Sequence, residues 1–234
     1  MKPIAVFRHS LTEGPGHIAT YMKRIGRDIR VIAIDCGDDV PRDPSEFAGL
    51  CFMGGPMSVN DPLPWIPEVL ALIRAAMDAD IPVIGHCLGG QLMSKALGGV
   101  ITANPVKEIG WREVQLHGGR AREWFGDRAG FLSFHWHGET FSLPDDCELL
   151  LSSDVCANQA WVRGKHLAMQ CHVEMTEAMV REWCIGGAAE ISAASAQPTV
   201  QSPQQMQQDL EARVAALHAV ADATYAQWSK GLKD

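Results

Sequence analysis

No stretch of this chain approaches eighteen consecutive apolar residues, so the sequence offers no transmembrane helix. It has seven cysteines but no Cys-x-x-Cys pair, which removes the usual spacing of a structural zinc site. An odd number of scattered cysteines also argues against a disulfide scaffold and for free thiols in a reducing compartment. Basic residues are in deficit, with 20 Lys and Arg against 28 Asp and Glu, a net charge of −8. That balance argues against nucleic acid as a partner. The opening residues, MKPIAVFRHS, lack the apolar length and small-residue cleavage site of a signal peptide and read as a first strand. A cytoplasmic location away from membranes is expected. No internal repeat is evident.

What is present is ordinary globular material: 47% apolar and 21% charged residues over 234 positions, enough for a full hydrophobic core. Strands are expected at Pro3–Phe7, Arg30–Asp35 and Leu50–Met53, with helices at His17–Ile25 and Pro64–Asp80. In the second helix Ile66, Val69, Leu70, Ile73 and Met77 recur at helical spacing. The alternation implies an α/β fold with an open, mostly parallel sheet covered on both faces. After about residue 100 the texture changes. Val106–Leu116, Phe131–His135, Glu148–Ser152, Gln159–Val162 and His166–Gln170 read as shorter strands with a small antiparallel portion. Ala188–Gln201 reads as a small-residue linker, and Ser202-Pro203 as the start of one helix running to about Trp228. Met206, Leu210, Val214, Leu217, Ala221, Tyr225 and Trp228 form its apolar stripe, expected to dock on the core, with a lid or a dimer contact as the other uses. The organisation expected is thus a domain over 1–187 with the segment 188–234 packed on it.

The chemistry centres on Ile81–Gly99, IPVIGHCLGGQLMSKALGG. A β-branched apolar run leads into a turn at Cys87, and an apolar helix opens at Leu88 beside Gly89 and Gly90. A side chain on such a turn projects above the sheet edge beside the first free N–H groups of the helix, which favour a thiolate. Gly85 and Gly89 flank the cysteine at positions where a Cβ would obstruct the approach of strand to helix. The N–H of Leu88 is placed to meet a developing oxyanion, and Gly54-Gly55-Pro56, after the third strand, is a suitable second donor loop.

A cysteine nucleophile needs a base, and the base needs an orienting group. His172 follows an apolar strand and precedes Glu174 by two residues, so in extended backbone both point to one side. Two other patterns are weaker. Glu13-Gly14-Pro15-Gly16 lacks the third glycine of a dinucleotide fingerprint. His135-x-His137 has no third ligand apparent in sequence, so no metal site is expected.

Gly85-His86-Cys87-Leu88-Gly89-Gly90-Gln91 matches the Gly-x-Cys-x-Gly-x-Gln signature of class I, triad-type glutamine amidotransferases. Gly54-Gly55-Pro56 resembles the oxyanion loop of that family, and Gln170-Cys171-His172-Val173-Glu174 resembles its Gln-Phe-His-Pro-Glu strand end, with Val173 in place of the proline. The three motifs occur in the family's order. The resemblance implies a flavodoxin-like fold, with Cys87 as nucleophile, His172 as base and then acid, and Glu174 as its orienting carboxylate. It implies oxyanion N–H groups from Gly55 and Leu88, and a substrate pocket that includes Gly54, Gln91, His137 and Gly138. His137-Gly138-Glu139 resembles the His-Gly-Asp segment of the GMP synthetase amidotransferase domain, while the Glu-Gly-Pro-Gly loop is similar to that of stand-alone members.

The implied activity is hydrolysis of the γ-amide of glutamine through a γ-glutamyl thioester, with no cofactor or metal required. A γ-glutamyl peptide or amine hydrolase with the same triad is the alternative. A regulatory subunit with an idle site is a third reading, disfavoured by the intact triad. A synthetase partner protein and a homodimer are both compatible with these features.

Overall fold

Short β-branched runs separated by amphipathic segments fold into parallel strands with crossover helices. In the computed structural model, which describes Met1–Asp234, the first half comprises β1 (Ile4–Arg8), α1 (His17–Arg24), β2 (Ile29–Ala33), β3 (Gly49–Phe52), α2 (Trp65–Asp78), β4 (Val83–His86) and α3 (Leu88–Ala96). The second half comprises β5 (Ile101–Leu116), α4 (Gly118–Phe125), β6 (Gly130–Phe141), β7 (Glu148–Ser152), β8 (Ala160–Arg163) and β9 (His166–Met169). Four helices close the chain: α5 (Glu177–Gly186), α6 (Ala188–Ala194), α7 (Pro203–Gln207) and α8 (Leu210–Ser229). No helix is long and apolar enough to cross a membrane.

All nine strands join one sheet in the order β2-β1-β3-β4-β9-β8-β7-β5-β6. The strands from β2 to β9 pair in parallel, in the flavodoxin-like order with β9 as the fifth strand. From β9 onward the pairings are antiparallel. The α/β open sheet read from sequence therefore forms, with β8, β7, β5 and β6 as its antiparallel portion.

Strand periodicity divides the core into two layers. Ile4, Val6, Cys51, Met53, Ile84, Leu167 and Met169 point to the face covered by α1 and α8. Ala5, Phe7, Leu50, Phe52, Val83 and Ala168 point to the face covered by α2 and α3. Burial on both faces is why these strands read as continuous apolar runs rather than as alternating ones.

The C-terminal segment departs from its sequence reading in two ways. The expected linker, Ala188–Gln201, contains α6 and then an extended stretch laid against β5. There Ile109 N–H donates to Thr199 O (3.1 Å), and Gln201 N–H donates to Ile109 O (2.9 Å). Gln201 also bonds the backbone of Trp111 with both ends of its amide. The expected single helix to Trp228 is broken between α7 and α8, with Asp209 in the left-handed region at φ 51°. A continuous helix would give the Met206 carbonyl to Leu210 and the Gln205 carbonyl to Asp209. Instead Trp111 Nε1–H takes the Met206 carbonyl (2.8 Å) and Arg213 takes that of Gln205 (3.0 Å). The apolar stripe is nonetheless buried throughout, from Met206 to Trp228. A further helix, α4, was not anticipated; it buries Ala121, Trp124 and Phe125 after two glycines that gave no helix signal.

The start of α3 is wedged between strand ends. A Cβ on Gly85 would meet Gly89 C at 2.5 Å, one on Gly89 would collide with the Phe52 carbonyl of β3, and one on Gly90 with the Met169 carbonyl of β9. Gly89→Ala is therefore expected to destabilise by about 1–3 kcal/mol or more, lowering Tm by roughly 5–10 °C. The control Gly186→Ala, where a Cβ meets nothing, should stay within about 1 kcal/mol of the parent in denaturant unfolding.

Candidate active site

One residue, Cys87, separates β4 from α3. Its backbone is held at φ 50°, ψ −107°, a conformation that an L-residue rarely adopts and that costs on the order of 1–3 kcal/mol. The Cys87 N–H donates to Met169 O at the end of β9 (2.8 Å), which ties the turn to the neighbouring strand. The side chain is 6% exposed, with Gln170 Nε2 at 3.5 Å from Sγ. The sequence-expected strand-turn-helix thus stands at the C-terminal edge of the parallel strands, where α/β sheets place their ligand crevice.

The chain leaves β9 at the same edge and presents His172 and Glu174 there. His172 N–H donates to Phe134 O (2.9 Å), and the imidazole lies edge-on to Trp183 at 5.0 Å between ring centroids. Its Nδ1 sits 2.6 Å from Glu174 Oε1, both side chains being 1% exposed. Its Nε2 is buried without a hydrogen-bond partner. Burial disfavours the charged ring, but the charges of Glu174 and of a Cys87 thiolate beside it more than offset this and hold the His172 pKa well above its usual range. Burial likewise works against the Glu174 carboxylate, and His86 and His172 together hold it below the ordinary range.

Behind Glu174 the array continues into the C-terminal helix. His86 Nε2 lies 3.8 Å from Glu174 Oε2 and is hydrogen-bonded with the Tyr225 hydroxyl at 3.2 Å. Burial pushes the Tyr225 phenol well above its usual pKa, so it stays protonated, and burial lowers that of His86. Sequence reading placed Tyr225 only in an apolar stripe. Its hydroxyl has no local signal, because its partner lies 139 positions away.

The Gly54-Gly55 loop closes the other side. A Cβ on Gly54 would come within 3.2 Å of His172 Cε1 and collide with the Glu13 carboxylate, and one on Gly55 would meet Leu88 Cδ2 at 2.7 Å. Glycine at both positions lets backbone N–H groups approach where side chains otherwise stand. The Gly55 N–H donates to no backbone carbonyl, and that of Leu88 is the first of α3, with no partner inside the helix. Glu13 belongs to the loop that offered a partial dinucleotide fingerprint. Here it packs against the site instead, and burial pushes its carboxyl up to about 7. Gly16, at φ 54°, allows that loop to touch the Glu174 backbone, where His17 N–H donates to Glu174 O (2.8 Å).

Cys87, His172, Gly55, Gln91, His137 and Gly138 all line one cavity of about 600 Å³. Gln91 is buried at its floor and donates to Gln170 Oε1 (3.1 Å). Gly54, Leu88 and Glu174 do not line the cavity; Gly54 and Glu174 adjoin His172, and Leu88 follows Cys87. The wall also holds residues that sequence reading did not assign, notably Glu13, Lys107, Glu182, Trp183 and Glu190. Glu190 is held by Lys107 Nζ (2.6 Å) and Trp136 Nε1 (2.8 Å). These come from separate elements and carry no shared motif, so only the fold assembles them.

Comparison with known proteins shows the family of the chain. Residues 16–180 match the profile of the family described as glutamine amidotransferase class-I. The chain is 30% identical over 176 residues to the glutamine amidotransferase-like protein YfeJ of Salmonella typhimurium, covering 72% of this chain and 74% of that protein. It is 30% identical over 179 residues to the glutamine-hydrolyzing GMP synthase of a Marinomonas species, covering 68% of this chain but 32% of the synthase. The crystal structure of a glutamine amidotransferase from Methylobacillus flagellatus superposes with a TM-score of 0.97 at 44% identity, over 100% of this chain and 96% of that one. A Thermotoga maritima glutamine amidotransferase shares the fold at 22% identity, with a TM-score of 0.88 over 98% of each chain. With its cysteine turn, glycine loop and histidine–glutamate pair set around one cavity, this chain belongs to the class I glutamine amidotransferase family.

Proposed function

We propose that this protein hydrolyses the γ-amide of glutamine through a Cys87 γ-glutamyl thioester. The observation that carries this reading is the convergence on one cavity of a strained-turn cysteine and a histidine whose Nδ1 is engaged by a buried carboxylate at 2.6 Å. In this mechanism the Cys87 thiolate attacks the side-chain carbonyl carbon, and the oxyanion lies between the N–H groups of Gly55 and Leu88. Protonated His172 gives its Nε2 proton to the leaving nitrogen, the C–N bond breaks, and ammonia departs. Neutral His172 then takes a proton from water, whose oxygen attacks the thioester, releasing glutamate and the thiol. Gly54, Gln91, His137 and Gly138 would border the glutamyl group. Likeness to GMP synthases supports a synthetase partner as one consumer of the ammonia.

The cavity favours a second reading, in which the same triad cleaves γ-glutamyl amides with larger leaving groups. It extends past Cys87 to Trp136, Trp183 and Gly187, and its wall carries four carboxylates, Glu13, Glu139, Glu182 and Glu190, against one lysine, Lys107. Such a wall suits an amine leaving group that bears a second positive charge.

Two measurements test these roles. Glutamate release is measured from glutamine and from γ-glutamyl amides of neutral and cationic amines, with Cys87→Ala as the blank. Cys87-dependent turnover of glutamine is the expected result, faster turnover of the cationic amides selects the second reading, and full activity in Cys87→Ala sinks both. The second measurement is the pH profile of Glu174→Gln. The pair needs a protonated imidazole, and the Glu174 charge raises its pKa. Removing that charge lowers it, so the alkaline limb of kcat/KM should move to lower pH, with kcat falling on the order of 10²-fold or more. An unmoved alkaline limb would show that Glu174 does not set the protonation of His172.

A further inference from the structure

The histidine pair set aside for want of a third ligand gains one from the sheet register. His135 and His137 project to the same side of β6, their ring centroids 6.0 Å apart. Antiparallel pairing of β5 with β6 sets Glu108 opposite His137, just past the irregularity between Ala103 and Glu108. All three side chains are buried, at 0%, 0% and 5% exposure for Glu108, His135 and His137. One ligand atom from each lies within 4.8 Å of the other two. Spacing in the sequence conceals this, since Glu108 precedes His135 by a full hairpin containing α4.

Hydrogen-bond accounting exposes an imbalance there. His135 Nε2–H donates to Arg112 O (3.3 Å), which leaves a lone pair on Nδ1, and that atom is buried without a partner. His137 Nδ1–H donates to Glu139 O (2.9 Å), leaving Nε2 as its remaining nitrogen. That nitrogen makes no aligned hydrogen bond although it lies 2.9 Å from Glu108 Oε2. A lone pair facing a carboxylate oxygen at that distance is repulsive. His135 Nδ1 has no donor in any arrangement of that contact, whereas one divalent cation placed among the three side chains would engage all of them.

The surroundings are those of oriented ligands. Each imidazole is fixed through its other nitrogen by a backbone carbonyl, and Glu108 is held by Ser153 Oγ (3.0 Å) and Gln159 Nε2 (2.8 Å). Arg112 Nε lies 3.6 Å from Glu108 Oε1 and opposes a second positive charge, but its guanidinium is drawn outward by Asp154 at 2.8 and 2.9 Å. Two imidazoles and a carboxylate form a donor set suited to Zn²⁺. Ligand atoms around tetrahedral zinc sit roughly 3.4 Å apart, so separations of up to 4.8 Å would close by at most about 1.4 Å and the His137–Glu108 pair, at 2.9 Å, would open by about 0.5 Å.

We propose that Glu108, His135 and His137 form a Zn²⁺ site at the base of the cavity wall, with its fourth position left to water, where the ion would fix the His137-Gly138 segment. The site contains no residue of the triad, and the ion takes no chemical step in the proposed amide hydrolysis; its effect there is to position His137 and Gly138 in the cavity wall.

The test uses full-length protein without an affinity tag, stripped with chelator and titrated with Zn²⁺ against a chromophoric competitor, with bound metal counted by elemental analysis. About one zinc per chain is expected, with Tm rising by roughly 5–10 °C at zinc 100-fold above Kd. His135→Asn and Glu108→Gln should each lower affinity by 10-fold or more, while Cys87→Ala should retain it. No stoichiometric zinc and no Tm shift in the parent protein would overturn the proposal even if the ligand variants fail to fold. Loss of zinc in Cys87→Ala would also overturn it, by placing the ion on the thiol.

Discussion

The constraint on which the rest of the structure depends is the insertion of the α3 N-terminus between the ends of β3 and β9. Cys87 stands at positive φ because β4 must turn into α3 within one residue, and its N–H is anchored to Met169 O. Backbone passes so close on both sides that Gly89 and Gly90 leave no room for a Cβ. Strain of this kind persists only where the surrounding structure over-determines it. Here the packed parallel strands supply that over-determination, and the thiol is displayed at the sheet edge as a result.

A second feature follows from burying a carboxylate behind that thiol. Glu174 is almost fully buried, and an ionised group there requires partners. His172 engages one oxygen directly and His86, backed by Tyr225, approaches the other. The nearest supports of the histidine–glutamate pair therefore include a side chain from the last helix. This links packing of α8, through Trp228 and Leu217 as well as Tyr225, to the geometry of the candidate site. It also gives a physical sense to the buried hydroxyl, which would be costly without its acceptor.

Electrostatics divide the cavity. Its inner end carries Cys87 and His172, backed by Glu174, while the charged residues of its wall are four glutamates and one lysine, with Glu190 paired to Lys107. Glu13 is held near neutrality of charge by burial, with a carboxyl pKa of about 7, so the local field changes across the physiological range. The Glu108–His135–His137 cluster lies behind the same wall, with His137 itself lining the cavity.

Local sequence determined much of this protein. Apolar runs specified the parallel strands, since a strand buried on both faces needs little else, and the cysteine turn was legible because its glycines are costly anywhere a backbone does not crowd them. His172 and Glu174 could be paired because extended backbone puts residues two apart on one side. What the chain alone did not disclose were arrangements set by partners far away in sequence. Trp111 and Arg213 take carbonyls that a continuous C-terminal helix would have used, and Gln201 docks an apparent linker on β5. The β5–β6 register brings Glu108 to two histidines, and packing of α8 brings Tyr225 to His86. Periodicity and turn chemistry act within a few residues and are written locally, whereas hydrogen bonds between distant elements exist only once the sheet has set their register.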